Sequence, residues 1–333
     1  MPFPRQLVFV AALLIAASGG WRDSRAAPPE GFSFRAVTAA DLAQVQAVWA
    51  QRDLSPRDVS VAHESEEDGR RVRIYRHRVG ANIHYGAVVT PVHATHKLPV
   101  VVMLDGLNQT RPWLDLEKKL VDFKGNTVWV VPGFRGRELR YKGKSFGSQG
   151  DFCDAYDGAT DDAIALTQVA IAQTPHASAK ALAIGWSRGG NVAMMMGMRD
   201  SHVDTVVAAA GPMDFNREEV AERYGAQYEC QYFAGRHADA SRLRILASSP
   251  LHFRLPPGVK VHLMQGGADD IVPPWNAIEM KQRLQAQNAD VTLDLYPGGT
   301  HATTFGSASF QQRWHHYLQG FIRRPAARSS SPG

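Results

Sequence analysis

At residues 185–190 the chain reads Gly185-Trp186-Ser187-Arg188-Gly189-Gly190. The four apolar residues before this stretch (ALAI, 181–184) predict a short buried strand, and those after it (NVAMMM, 191–196) predict a helix. A Gly-x-Ser-x-Gly sequence between a strand and a helix is the signature of a nucleophile elbow, a tight turn that holds its serine in a strained conformation above a sheet. The pentapeptide alone also fits a plain packing turn, but its position between a strand and a helix favours Ser187 as a nucleophile.

Two later loops offer the acid and the base that a serine nucleophile needs. A hydroxyl becomes a good nucleophile when a histidine takes its proton and a carboxylate orients that histidine. The apolar strand at 259–264 runs into a loop with Asp269 and Asp270, and the strand at 291–296 runs into a loop ending at His301. Each of these residues taken alone fits an ordinary turn or cap. Their order after Ser187 predicts a catalytic triad, with Asp269 preferred because Asp270 is better placed to face solvent.

The backbone donors that would stabilise an oxyanion come from two places in the chain. The residue after the nucleophile supplies one N–H group, which here belongs to Arg188. The second donor is expected in the loop that follows the early strand at 98–104. Gly106 and Leu107 are the candidates in that loop, and Gly106 also fits a role in the turn alone.

The order of strands and helices predicts an α/β fold with a mostly parallel sheet. Continuous apolar strands are expected at 98–104, 127–131, 180–184, 203–209, 259–264 and 291–296, with helices near 160–173, 189–199, 274–287 and 306–323. Strands of this kind separated by helices are buried on both faces. Before them the pattern predicts a helix from 38 to 49, an acidic loop at 64–68 and two paired strands around Gly80.

A charged and aromatic segment at 213–246 is too long for a simple connection. It predicts a small helical insertion over the carboxyl edge of the sheet. Its aromatic residues either line a substrate pocket or pack a small core of the insertion itself. They are Tyr224, Tyr228, Tyr232 and Phe233.

Composition excludes several functional classes. The net charge of +5 over 333 residues is spread along the chain, so no nucleic-acid groove is expected. The chain lacks a dinucleotide fingerprint, a phosphate loop and any His and Cys cluster with ligand spacing, so we predict no cofactor and no metal. The expected partner is a small peptide or ester substrate, and nothing in the sequence indicates an oligomeric state.

The amino terminus predicts export. A short basic segment precedes the apolar run LVFVAALLIAA at 7–17, and small residues follow around Ser24 and Ala26. We expect a signal peptide at 1–26, cleaved near Ala26 or Ala27, and a periplasmic or secreted protein that leaves the membrane. The alternative is an uncleaved membrane anchor. The remaining boundaries are an arm with antiparallel edge strands at 27–97, a catalytic domain at 98–323 and a disordered tail at 324–333.

Cys153 and Cys230 make up the cysteine content of the chain. In an oxidising compartment an even number of cysteines permits one disulfide. Spacing in the sequence does not reveal proximity in space. One disulfide and two buried thiols therefore remain alternative interpretations.

These residues resemble the α/β-hydrolase fold, and more narrowly the catalytic domain of the prolyl oligopeptidase (S9) family of serine peptidases. The elbow at 185–190 is similar to that of the dipeptidyl-peptidase and acylaminoacyl-peptidase branches. The segment at 130–136 resembles the stretch after their second core strand, and the segments at 150–152 and 161–162 resemble the loop and helix that follow it. The loops around Asp269 and His301 resemble their acid and histidine loops. The resemblance covers roughly residues 98–323 and implies hydrolysis of peptides or amides through an acyl-enzyme.

Two departures from that family bear on function. Asp105-Gly106 stands where many relatives have His-Gly, so the second oxyanion donor does not follow from the resemblance. The segment before residue 98 is too short for the β-propeller that many relatives carry, so peptide specificity does not follow either. A carboxylesterase is therefore the alternative. A non-catalytic binding protein on the same fold is a third hypothesis, which would predict a broken triad.

Overall fold

The computed structural model describes residues 27–108, 112–123 and 125–324. The predicted signal peptide at 1–26 lies outside these residues, as does the predicted disordered tail beyond Arg324. Within the described ranges, none of the helices combines the length and the apolar character needed to cross a membrane.

The described strands form one large sheet and one small sheet. In chain order they are β1 (Arg57–Glu67), β2 (Arg70–Val79), β3 (Asn82–Pro91), β4 (Leu98–Leu104), β5 (Trp113–Asp115), β6 (Val128–Gly133), β7 (Glu138–Tyr141), β8 (Lys144–Gly147), β9 (Ala177–Trp186), β10 (Val203–Ala209), β11 (Lys260–Gly266) and β12 (Asp290–Tyr296). The large sheet has the order β1-β2-β3-β6-β4-β9-β10-β11-β12, and the small sheet has the order β5-β7-β8. In the large sheet, β1 pairs antiparallel with β2, β2 with β3, and β3 with β6. The remaining neighbours in that sheet, β6-β4-β9-β10-β11-β12, pair parallel.

Helices cover both faces of the large sheet. They are α1 (Ala39–Ala50), α2 (Leu116–Leu120), α3 (Asp157–Gln173), α4 (Arg188–Arg199), α5 (Glu218–Tyr224), α6 (Ala226–Tyr228), α7 (Ala238–Ala247), α8 (Trp275–Gln285), α9 (His301–Gly306) and α10 (Ala308–Ile322). One core layer buries apolar side chains of α3, α4 and α8, and the opposite layer buries those of α2 and α10. The predicted parallel sheet with helices on both faces is therefore confirmed.

The first strand corrects the sequence prediction. Residues 64–68 were expected to form an acidic loop, but β1 extends to Glu67. Glu64 and Glu66 lie opposite Arg73 and Arg71 of β2, and the carboxylates pair with these guanidinium groups at 2.7 and 2.6 Å. Opposite charges across an edge strand stabilise the pairing, which a search for apolar alternation does not detect.

The carboxyl-terminal helical region also differs from its prediction. The helix expected near 306–323 is present as α10, but a short helix that was not predicted, α9, precedes it and ends before Ser307. The Ser307 side chain accepts a hydrogen bond from the backbone N–H of Phe310 and so caps α10. Serine favours such a cap over a helix interior because its hydroxyl satisfies an N–H group that lacks an intrahelical partner.

Helix α1 connects the amino-terminal arm to the insertion. Thr38 and Asp41 form a capping box at its start. Asp41 also pairs with Arg242 of α7 at 3.0 Å. This hydrogen-bonded guanidinium holds the pKa of Asp41 well below its usual value. The arm therefore fixes the position of the insertion above the carboxyl edge of the sheet.

Candidate active site

The elbow has the strained backbone that its sequence predicts. Ser187 lies between β9 and α4 with φ 57° and ψ −120°, a conformation that L-residues rarely adopt. A Cβ on Gly185 would strike the backbone of Gly189, and a Cβ on Gly189 would strike the backbone of Leu104. Glycine at both positions is therefore a steric requirement of the turn. The N-terminus of α4 begins directly after Ser187, where its N–H groups favour negative charge.

Asp269 and His301 form a buried hydrogen-bonded pair. Nδ1 of His301 lies 2.8 Å from Oδ2 of Asp269, and the two residues are 4% and 3% exposed. Asp269 follows β11, and His301 is the first residue of α9 after β12. Asp270 is exposed. Of the two adjacent carboxylates that the sequence offered, Asp269 is thus the one that contacts the histidine.

The Asp269 carboxylate is held by several donors besides His301. Its Oδ1 accepts the backbone N–H groups of Ile271 and Val272 at 3.0 and 2.8 Å, and its Oδ2 accepts Nε2 of Gln265 at 3.2 Å. A carboxylate fixed in this way orients the imidazole that it contacts. Sequence reasoning did not identify Gln265, although a polar residue near the end of an otherwise apolar strand was a detectable signal.

Trp186 links the elbow to the histidine. Its ring lies 5.0 Å, centroid to centroid, from the ring of His301, and it also packs against Phe305 and Phe310. Trp186 immediately precedes Ser187 in the chain. The ends of β9, β11 and β12 therefore bring Ser187, Asp269 and His301 to the same edge of the sheet, where ligands bind in α/β folds.

The loop after β4 lies against the elbow. A Cβ on Gly106 would lie 3.7 Å from Cβ of Ser187, and the carbonyl oxygen of Asp105 accepts Nε of Arg188 at 3.1 Å. The Asp105 carboxylate pairs with Lys119 at 2.7 Å. Burial opposes the ionisation of Asp105, but the Lys119 ammonium outweighs it and holds the pKa of Asp105 below its usual value. Gly106 thus lies beside Ser187, in the loop where the second oxyanion donor is predicted.

The insertion contains α5, α6, a π-helical turn at Glu229–Phe233 and most of α7. Tyr228, Tyr232 and Phe233 are buried with Phe215 in an apolar cluster that also contacts Phe32 and Phe34 of the arm. These rings therefore pack a core of the insertion, which was one of the two interpretations of the sequence. Tyr224 differs, because it is partly exposed and its hydroxyl donates to the carbonyl of Ile271 in the acid loop at 3.2 Å.

Cys153 and Cys230 form a disulfide with their Cα atoms 5.5 Å apart. The bond joins the loop before α3 to the π-helical turn of the insertion. Together with the ion pair between Asp41 and Arg242, it ties the insertion to two other parts of the chain, the loop before α3 and helix α1.

Comparison with known proteins gives a family and a fold. Residues 118–328 match the model described as the prolyl oligopeptidase family. No curated protein matches the sequence at a significant level. In a comparison of structures, 933 solved chains match this chain at a significant level.

Three solved structures illustrate that similarity. Acetyl xylan esterase 1 from Thermoanaerobacterium sp. aligns with a TM-score of 0.64 and 13% identity over 91% of this chain and 98% of its own. An acetyl xylan esterase from Paenibacillus sp. aligns with a TM-score of 0.56 and 14% identity over 91% and 99%. Acylaminoacyl peptidase from Pyrococcus horikoshii aligns with a TM-score of 0.55 and 13% identity over 83% of this chain and 51% of its own.

The chain therefore spans about half the length of that peptidase and almost the whole length of the two esterases. At these identities the alignments show the fold alone. They confirm the α/β-hydrolase architecture that the sequence predicts.

Proposed function

The chain belongs to the prolyl oligopeptidase family, and we propose that it is an exported serine hydrolase that cleaves peptide or amide bonds through an acyl-enzyme. Ser187 attacks the carbonyl carbon of the substrate, and His301 accepts the proton of its hydroxyl. Asp269 orients the imidazole and stabilises the imidazolium. Water activated by His301 then releases the acid and restores the serine.

The oxyanion of the tetrahedral intermediate is stabilised by backbone N–H groups. Arg188 supplies one donor at the start of α4, and Gly106 or Leu107 supplies the other. The observation that carries the whole proposal is the buried 2.8 Å contact between His301 and Asp269 beside the strained elbow of Ser187. A hydrolase fold used only for binding has no need for both features.

A carboxylesterase is the second candidate function, and one observation favours it. This chain aligns with nearly the whole length of the two esterases, whereas about half of the peptidase has no counterpart in this chain. The described residues contain no β-propeller. The same three residues can act on acyl or acetyl esters, since the two reactions differ only in the leaving group.

A panel of substrates separates these functions. Purified mature protein is assayed on aminoacyl and dipeptidyl p-nitroanilides and on p-nitrophenyl esters, with Ser187→Ala as the matched control. We expect release of p-nitroaniline that depends on Ser187. Cleavage of esters alone would select the carboxylesterase. Failure on every substrate, together with no labelling by a fluorophosphonate, would leave a binding protein on a hydrolase fold.

Export has its own test. The proposal rests on the apolar run at 7–17 and on the small residues before Ala27. We expect protein from the periplasm or medium to begin near Ala26 or Ala27, as shown by amino-terminal sequencing and intact mass. A full-length chain retained in the membrane fraction would instead indicate an uncleaved anchor.

A further inference from the structure

Two buried arginines line a small cavity beside the elbow. Arg137, in the turn after β6, is 7% exposed, and Arg188, the first residue of α4, is 2% exposed. The cavity measures about 20 Å³. It is also lined by Asp105, Gly106, Asn108, Trp113, Leu114, Pro132, Gly133, Phe134 and Glu138. The side-chain hydrogen bonds of these two arginines in the described part of the chain go to backbone carbonyls, and the mechanism proposed for Ser187, Asp269 and His301 gives the guanidinium groups no role.

Each guanidinium group is positioned by its neighbours, and each still has an N–H group for which the described part of the chain offers no acceptor. Nε of Arg188 donates to the carbonyl of Asp105, and the group lies 4.2 Å from the ring centre of Phe134. Nη1 of Arg137 donates to the carbonyl of Asn108 at 2.9 Å, and the group lies 4.2 Å from the ring centre of Phe152. Nη1 of Arg188 and Nη2 of Arg137 are buried and have no hydrogen-bond partner among the residues that the structure describes.

The charges around the cavity do not balance. Asp105 is shared with Lys119, and Glu138 is bonded to Arg140 and Ser145. Burial is the main cause that lowers the pKa of Arg137, and the positive charge of Arg188 lowers it further. Burial also lowers the pKa of Arg188. Because guanidinium groups remain protonated in proteins, these directions indicate buried positive charge that Asp105, shared with Lys119, compensates only in part. Such a charge is costly unless a ligand compensates it.

The turn that carries Arg137 is held rigidly. The backbone N–H of Arg135 donates to Asp162 of α3 at 2.8 Å, and the Arg135 side chain pairs with both Asp162 and Asp154. Arg188 is fixed by its position in the elbow. Both guanidinium groups are thus oriented before any ligand arrives, which lowers the entropic cost of binding.

We propose that this cavity binds a carboxylate of the substrate, a few bonds from the carbonyl that Ser187 attacks. The inference rests on the proposed hydrolase function and names its substrate class. Gly106 borders both the cavity and Ser187, so a ligand group held there is close to the nucleophile. Two guanidinium groups match the planar, two-oxygen geometry of a carboxylate.

Two pairs of esters test this proposal and show on which side of the scissile bond the carboxylate of the substrate lies. Methyl hydrogen succinate and methyl succinamate differ by a charge on the acyl side, and acetoxyacetic acid and acetoxyacetamide differ by a charge on the leaving-group side. Acid release is followed by titration at constant pH. We expect kcat/KM to favour the acid over its amide by roughly 10- to 100-fold in one pair, as two charge-assisted hydrogen bonds imply.

Variants assign that preference to the cavity. Arg137→Met should remove most of the preference for the acid, and Arg137→Lys should restore part of it. Arg313→Met is the matched control, because Arg313 is a half-exposed arginine of α10 paired with Asp294, outside the cavity. Equal rates on acid and amide in both pairs would overturn the proposal. So would a preference that Arg137→Met leaves unchanged.

A binding measurement keeps this result separate from the proposed function. Methyl hydrogen succinate and acetoxyacetic acid are titrated calorimetrically into the Ser187→Ala protein, with and without Arg137→Met. Binding of an acid but not its amide, lost with Arg137→Met, supports the cavity even if no ester is cleaved. Absence of binding by the Ser187→Ala protein overturns the carboxylate proposal, whereas cleavage of neutral esters still supports the hydrolase.

Discussion

Ser187→Ala should lower turnover roughly 10⁴-fold or more on any substrate that the wild-type protein cleaves. The variant keeps the backbone donors at Arg188 and the loop after β4 but loses the atom that forms the acyl-enzyme. The measurement is kcat on the best substrate of the panel, together with labelling of the protein by a fluorophosphonate. Both should be lost, while the circular dichroism spectrum stays that of the folded protein.

Ser201→Ala is a suitable control for that experiment. Ser201 lies in the exposed turn between α4 and β10. The substitution therefore removes a serine hydroxyl at a position outside the candidate active site. We expect wild-type turnover from this variant. If Ser187→Ala kept activity within tenfold of wild type, Ser187 would not be the nucleophile and the proposed mechanism would have to be abandoned.

Asp269→Asn should lower kcat by on the order of 10⁴-fold with little change in the fold. The asparagine oxygen can still accept the N–H groups of Ile271 and Val272, which leaves its amide nitrogen facing Nδ1 of His301. Nδ1 must then act as the acceptor, and the proton moves to Nε2. In that tautomer His301 cannot accept the proton of Ser187.

Asp270→Asn provides the comparison, because Asp270 is the exposed neighbour in the same loop. We expect its kcat to stay near the wild-type value. Steady-state kinetics of the two variants, with a thermal melt of each, measures the difference. Equal activity of the two variants would remove Asp269 from the proposed triad.

The core strands were predictable because their composition reflects their burial. The strands β4, β9 and β10 lie inside a sheet covered on both faces, so their sequences are continuous apolar runs. Strand β1 lies at the edge and is stabilised by charge pairs with β2, such as Glu64 with Arg73. Its acidic residues therefore suggested a loop. The short helix α9 was not predicted either, since its capping box at Thr300 and Thr303 depends on local hydrogen bonds rather than on apolar periodicity.

The chemistry that depends on a short segment was also predictable from sequence. A Gly-x-Ser-x-Gly turn has one steric solution, and an acid and a histidine in loops after parallel strands must reach the same edge. The choice between Asp269 and Asp270 depends on more than the sequence, because two neighbouring aspartates in a loop differ only in the direction in which their side chains point. The backbone of the acid loop makes that choice by directing Asp269 toward His301.

The sequence by itself determined the parallel α/β core, the strained turn at Ser187 and the order of the proposed triad, because each depends on local sterics or on the periodicity of burial. Only the tertiary structure decided which contacts form between distant segments. It joined Cys153 to Cys230 and placed Tyr228 and Tyr232 of the insertion in a core rather than a pocket. It also brought Arg137 beside Arg188, because the burial and electrostatic environment of a side chain depend on neighbours that spacing along the chain does not specify.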